Sequence, residues 1–180
     1  MWRHFSATLA KTVVMRGELP DGGLPPFVSE VFSHIERFSH QGVPELLELM
    51  RGADWTGEWG MPTLMLLDFT PDNLFVSRDR LSFIDPWRQG TYLGHPAVSF
   101  WQFVTNMQRV GMREASEAGR MLEDSCLSEL PPLLGCDVFS VKRAFRLGCT
   151  LQFVLSSYVR RESDKVLAVK LMTRARELWS

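Results

Sequence analysis

Apolar residues recur at steps of three and four through most of this chain, the spacing of amphipathic helices. Trp2, Phe5, Leu9 and Val13 predict a first helix, followed by Gly17 and an irregular Gly/Pro-rich loop, GELPDGGLPP, from Gly17 to Pro26. Pro26 suits the first turn of a second helix, whose stripe is Phe27, Val28, Val31, Phe32, Ile35 and Phe38. Pro44 opens a short third helix carrying Leu46, Leu47, Leu49 and Met50, closed by Gly52. Residues 52–62 read as turns holding two tryptophans. After Pro96 the helical spacing returns: Phe100, Phe103, Val104 and Met107 first, then spans over 114–130, 141–159 and 162–179. The stripe Val141, Ala144, Phe145, Gly148, Leu151, Leu155 and Tyr158 predicts a core-facing helix.

The middle of the chain breaks this rhythm. Thr63–Leu67 is a short apolar run between Pro62 and Asp68, as expected of a buried strand. Asn73–Val76 and Leu81–Ile84 read as two more strands. The four residues Ser77-Arg78-Asp79-Arg80 between them suit a tight hairpin, and a loop follows Asp85-Pro86 to about Pro96. The expected fold class is therefore mainly α with a small central β-hairpin element, residues 1–180 forming a single domain.

Composition narrows the function classes. The chain has 180 residues, 45% hydrophobic, with a net charge of −1. There is no global basic field for nucleic acid and no apolar run near the ~20 residues that a bilayer crossing needs. The N-terminal residues show no targeting pattern, so a cytoplasmic protein is expected. Cys126, Cys136 and Cys149, an odd set without a C-x-x-C pair, read as buried thiols rather than a disulfide framework or zinc site. Charge is nonetheless uneven: residues 137–180 hold nine Lys/Arg against four Asp/Glu, an excess of +5, which leaves −6 elsewhere. A solvated helical face accounts for that excess, and an anionic or peptide substrate would also suit it.

Chemistry concentrates in the segment from Leu64 to Pro96. Asp68 follows the first strand, Asn73 opens the second and Asp85 follows the third. A carboxylate and an amide five residues apart, with a second carboxylate returned by a hairpin, can supply hard oxygen ligands for Mg²⁺ and a group to accept a hydroxyl proton. Singly, each is also an ordinary turn residue at a strand end. His95 reads as a structural or surface histidine, with a substrate contact near the site as the alternative. Trp87 is expected to pack in the core, Arg88 to form a local ion pair and Asp72 to be solvated.

With these residues in hand, LLDFTPDNLFV…FIDPW resembles the catalytic core of the aminoglycoside phosphotransferase and choline kinase-like family, relatives of protein kinases, most clearly over residues 64–104. The resemblance implies the C-terminal lobe of a protein-kinase-like fold. It also implies ATP (or GTP) with Mg²⁺ as cofactors and phosphoryl transfer to a hydroxyl of a small molecule. Asp68 would be the catalytic residue, and Asn73 and Asp85 would be the Mg²⁺ ligands beside the nucleotide. The family's His-Gly before the catalytic Asp is Leu66-Leu67 here, and Ser99 stands where its second Asp falls. No Gly-rich nucleotide cover precedes the segment, and Lys11 is the only lysine before Lys142. The N-lobe is thus expected to come from a separate chain, a neighbouring subunit of a homo-oligomer or an upstream segment. The alternative is a catalytically degenerate lobe serving as a binding or regulatory module.

Overall fold

The computed structural model describes residues 24–60, 63–66, 74–77, 80–83, 91–100 and 113–180. Helices dominate. The first, α1 (Pro26–Arg37), starts on a proline whose missing N–H costs nothing at a helix N-terminus, and it buries Phe27, Val28, Val31, Phe32 and Ile35. Helix α2 (Val43–Arg51) follows Gly42, whose φ of 92° suits a residue without a Cβ, and buries Val43, Leu46, Leu47 and Met50. The expected helix over residues 2–13 lies outside the described residues, as do 101–112.

Strand β1 (Thr63–Leu66) pairs antiparallel with β4 (Thr91–Gly94), Thr63 opposite Gly94 and Leu66 opposite Thr91. Strands β2 (Leu74–Ser77) and β3 (Arg80–Phe83) form a separate two-stranded ladder, Leu74 opposite Phe83 and Ser77 opposite Arg80. This corrects the expectation of one small central hairpin with a loop running to Pro96. Residues 91–94 are a strand, and its paired residues lie 25 to 31 positions earlier, beyond the reach of local patterning.

The C-terminal half is a helical layer. Helix α3 (Arg113–Leu134) runs past the expected end at 130, through Pro131 and Pro132. Gly135, at φ 67°, then closes it: the N–H groups of Gly135 and Cys136 both donate to the Pro131 carbonyl, at 2.9 and 3.2 Å. Helix α4 (Val138–Arg160) starts three residues before the expected 141, because the Asp137 carboxylate caps it by accepting the Ser140 N–H at 2.6 Å. Helix α5 (Lys165–Glu177) is capped likewise by Asp164, which accepts the Leu167 N–H at 3.0 Å.

Helix α4 is the central element. Val141, Ala144, Phe145, Leu147, Leu151 and Val154 are buried, and one core gathers them with α1, α2, Met65 and the 97–100 segment. Two glycines allow close backbone approaches. A Cβ on Gly148 would lie 2.1 Å from the Val98 carbonyl oxygen, and one on Gly94 would lie 2.6 Å from the Phe27 Cβ. Strand β4 therefore lies directly on α1, and the helical stretch 96–100 lies directly on α4. Among the described residues no helix is long and apolar enough to cross a membrane.

Candidate functional site

The three residues expected to carry chemistry, Asp68, Asn73 and Asp85, lie outside the described residues, as do Asp72, Trp87 and Arg88. The strands that flank them are described. Asp68 comes two residues after Leu66, which faces Thr91; Asn73 immediately precedes Leu74, which faces Phe83; and Asp85 comes two residues after Phe83. Facing residues in antiparallel strands sit about 5 Å apart at Cα. Each candidate residue thus comes one or two positions in sequence from a paired strand end.

At the opposite end of the β1–β4 ladder, the residue after Gly94 is His95, only 2% exposed. Its ring lies among Phe27 and Trp59, with centroids at 6.4 and 6.2 Å. The Ala97 N–H donates to Nδ1 at 3.2 Å, so a neutral ring carries its hydrogen on Nε2. Nε2 then faces the Cys136 Sγ at 3.8 Å, and that thiol can donate to the Leu130 carbonyl at 3.9 Å. Each hydrogen in this His95–Cys136 series has an acceptor. Burial drives the His95 pKa down to about 3, only partly opposed by the Asp137 carboxylate. Burial and the same carboxylate push the Cys136 thiol up to about 11. A neutral imidazole beside a protonated thiol is not an activated nucleophile. This His–Cys pair ties the end of β4 to the turn between α3 and α4, which agrees with the structural reading of His95.

That turn is fixed from a second side by the tryptophan loop. Asp137 accepts the Glu58 N–H at 2.9 Å, and its own N–H donates to the Glu58 carbonyl at 2.9 Å. Burial alone would raise the Asp137 carboxyl, but hydrogen bonds from Ser140, Glu58 and Phe139 outweigh it and hold the group below its ordinary value. Arg143 donates to the Thr56 carbonyl and to Asp54 at 2.9 Å. Trp55 and Trp59 are buried, and their indole N–H groups donate to the carbonyls of Met50 and Trp55. Ser99 is buried, 5% exposed.

Sequence reasoning singled out His95 but missed its partner Cys136 and the double role of Asp137. The Asp-x-x-Ser run at 137–140 is a helix-cap signal and could have revealed the latter; nothing local pairs positions 95 and 136. None of the three cysteines is in a disulfide, and all are buried. Among the described residues, no group of three or more His, Cys, Asp or Glu is placed to hold a metal ion. Comparison with protein-family models, with curated proteins and with solved structures found no match.

Proposed function

We propose that the chain is a phosphotransferase-type lobe that moves a phosphoryl group from a nucleotide to a hydroxyl of a small molecule. The observation that carries this reading is the strand register: paired strand ends flank all three residues of the Asp68…Asn73…Asp85 series. That order of donors, a carboxylate, an amide and a second carboxylate, also fits the hard-oxygen preference of Mg²⁺. Asn73 and Asp85 would hold the ion, which when bound supplies charge neutralisation between the phosphates. Asp68 would orient the acceptor hydroxyl and accept its proton. The buried His95–Cys136 pair and the Asp137 cap would hold the far end of the β1–β4 ladder still, so that the segment carrying Asp68 has a rigid base.

The test is a thermal-shift titration with ATP and Mg²⁺ together with a transfer assay. Saturation at 100 times Kd should add about 2.7 kcal/mol of apparent stability. Asp85→Ala should remove the Mg²⁺-dependent part of the shift, and Asp68→Asn should keep the shift but abolish transfer. No shift with any nucleotide would replace this reading with that of a degenerate lobe acting as a binding or regulatory module. Ser99, buried where the resembled family carries an acid, is the observation that favours that second reading.

A further inference from the structure

Helix α5 turns Ala168, Met172 and Ala175 inward and leaves Val166 and Val169 68% and 59% exposed. Lys170 and Arg174, also exposed, continue the same side of the helix at steps of four from Val166. Two local costs are built into this face. Valine is a mediocre helix former where packing does not call for it, and like charges four residues apart repel. Among the described residues neither cation makes an ion pair, and between Asp164 and Glu177 the helix carries no carboxylate. The Asp164 carboxylate is already engaged as the helix cap. A partner presenting apolar surface flanked by carboxylates would cover the exposed valines and offset the like-charge repulsion.

The same chain presents such a surface. On α3, Met121 is 65% exposed, and exposed Asp124 and Glu129 lie to either side of it around the helix axis. The α3 acids Asp124 and Glu129 make no ion pair among the described residues. The cationic excess of the last 44 residues and the acidic excess of the remainder are opposite in sign and nearly equal in size.

We propose that the chain pairs with a second copy of itself through these two faces. Val166 and Val169 of one copy cover Met121 of the other, and Lys170 and Arg174 face Asp124 and Glu129. A two-fold pair makes the contact twice, each copy giving one α5 face and one α3 face. The predicted association is concentration-dependent and weakens with salt, because its charged rim is screened.

Sedimentation of the full chain over a range of concentrations, at low and at high salt, tests the proposal. Wild type should dimerise. Lys170→Glu/Arg174→Glu should raise the dissociation constant at least about tenfold, and so should Asp124→Lys/Glu129→Lys. All four positions are exposed, so thermal melts should show both variants folded. Mixing the two variants should restore pairing, since each then meets a face of opposite charge. A chain that stays monomeric at every concentration overturns the proposal. So does a dimer that neither double variant weakens, or a mixture that fails to pair. Binding of wild type to anionic phosphatidylserine vesicles, lost in Lys170→Glu/Arg174→Glu without any change in sedimentation, would assign the face to a membrane instead and also overturn it.

Discussion

Gly148→Ala isolates one tertiary contact whose sign opposes the local preference. In the interior of a helix, alanine is favoured over glycine by about 1 kcal/mol, so on propensity alone this change would stabilise α4. The packing says otherwise. The added Cβ would lie 2.1 Å from the Val98 carbonyl oxygen, 2.9 Å from its carbonyl carbon and 3.0 Å from its Cα. Ordinary contact begins near 3.4 Å, so α4 and the 96–100 stretch must separate by about 1.3 Å. The obstacle is backbone, which cannot swing aside as a side chain would. Overpacking of this kind costs about 1–3 kcal/mol and, against backbone, belongs at the top of that range. Setting that cost against the propensity gain leaves a net loss of about 2 kcal/mol. For a chain of this size that corresponds to about 4–8 °C in Tm. Urea denaturation followed by tryptophan fluorescence measures it directly. Gly52→Ala is the matched control: its Cβ would meet only the Glu48 and Leu49 carbonyls at 3.5 and 3.6 Å, with ordinary negative φ, so it should be neutral or slightly stabilising. A Gly148→Ala protein as stable as wild type would refute the close approach of α4 to the 96–100 stretch.

Other outcomes follow from the same packing. Cys136→Ala should cost about 1–3 kcal/mol in denaturant titrations, because it leaves the buried His95 Nε2–H without an acceptor. Cys136→Ser should recover part of that loss. Because the His95 pKa falls from 6.5 to about 3 in the folded chain, the unfolded state binds the extra proton between those values. Stability from this residue is therefore complete above about pH 6.5 and falls by about 1.4 kcal/mol per pH unit below it, a slope that His95→Asn should flatten in acid melts. The thiols have the opposite sign. Burial raises Cys126 to about 12 and Cys136 to about 11, so their contribution is present below pH 9 and declines above it. Both should resist a thiol reagent at neutral pH until denaturant is added. Asp137→Ala removes the α4 cap and the side-chain bond from the Glu58 N–H, while the backbone bond to the Glu58 carbonyl remains, and should cost about 1–2 kcal/mol in denaturant titrations.

Much of the helical layer was legible from local pattern. The stripe from Phe27 to Ile35 is the buried face of α1, and that from Val141 to Leu151 is the buried face of α4. Periodicity carries this information because a helix meets the core with residues only three or four apart. Helix ends were less legible. Apolar spacing places the α4 start at 141 although Asp137 marks it three residues earlier, and it places the α3 end at 130 although the helix continues through Pro131 and Pro132 to Leu134. Of the candidate site, sequence alone supplied Asp68, Asn73, Asp85 and their order.

Tertiary structure alone decided the long-range features. Residues 91–94 became a strand only by finding Thr63–Leu66, and four residues too few to show alternation carry no mark of that partner. His95 became a neutral ring because folding buried it, and a fully engaged one because Cys136 arrived beside it from another part of the chain. Gly148, one more apolar position to the periodicity, proved to be the place where two backbones touch. Helix-forming tendency and amphipathic spacing act over a few residues and can be read along the chain. Strand partners, proton placement and backbone contact depend on segments brought together by burial of the whole core, so they exist only once the chain has folded.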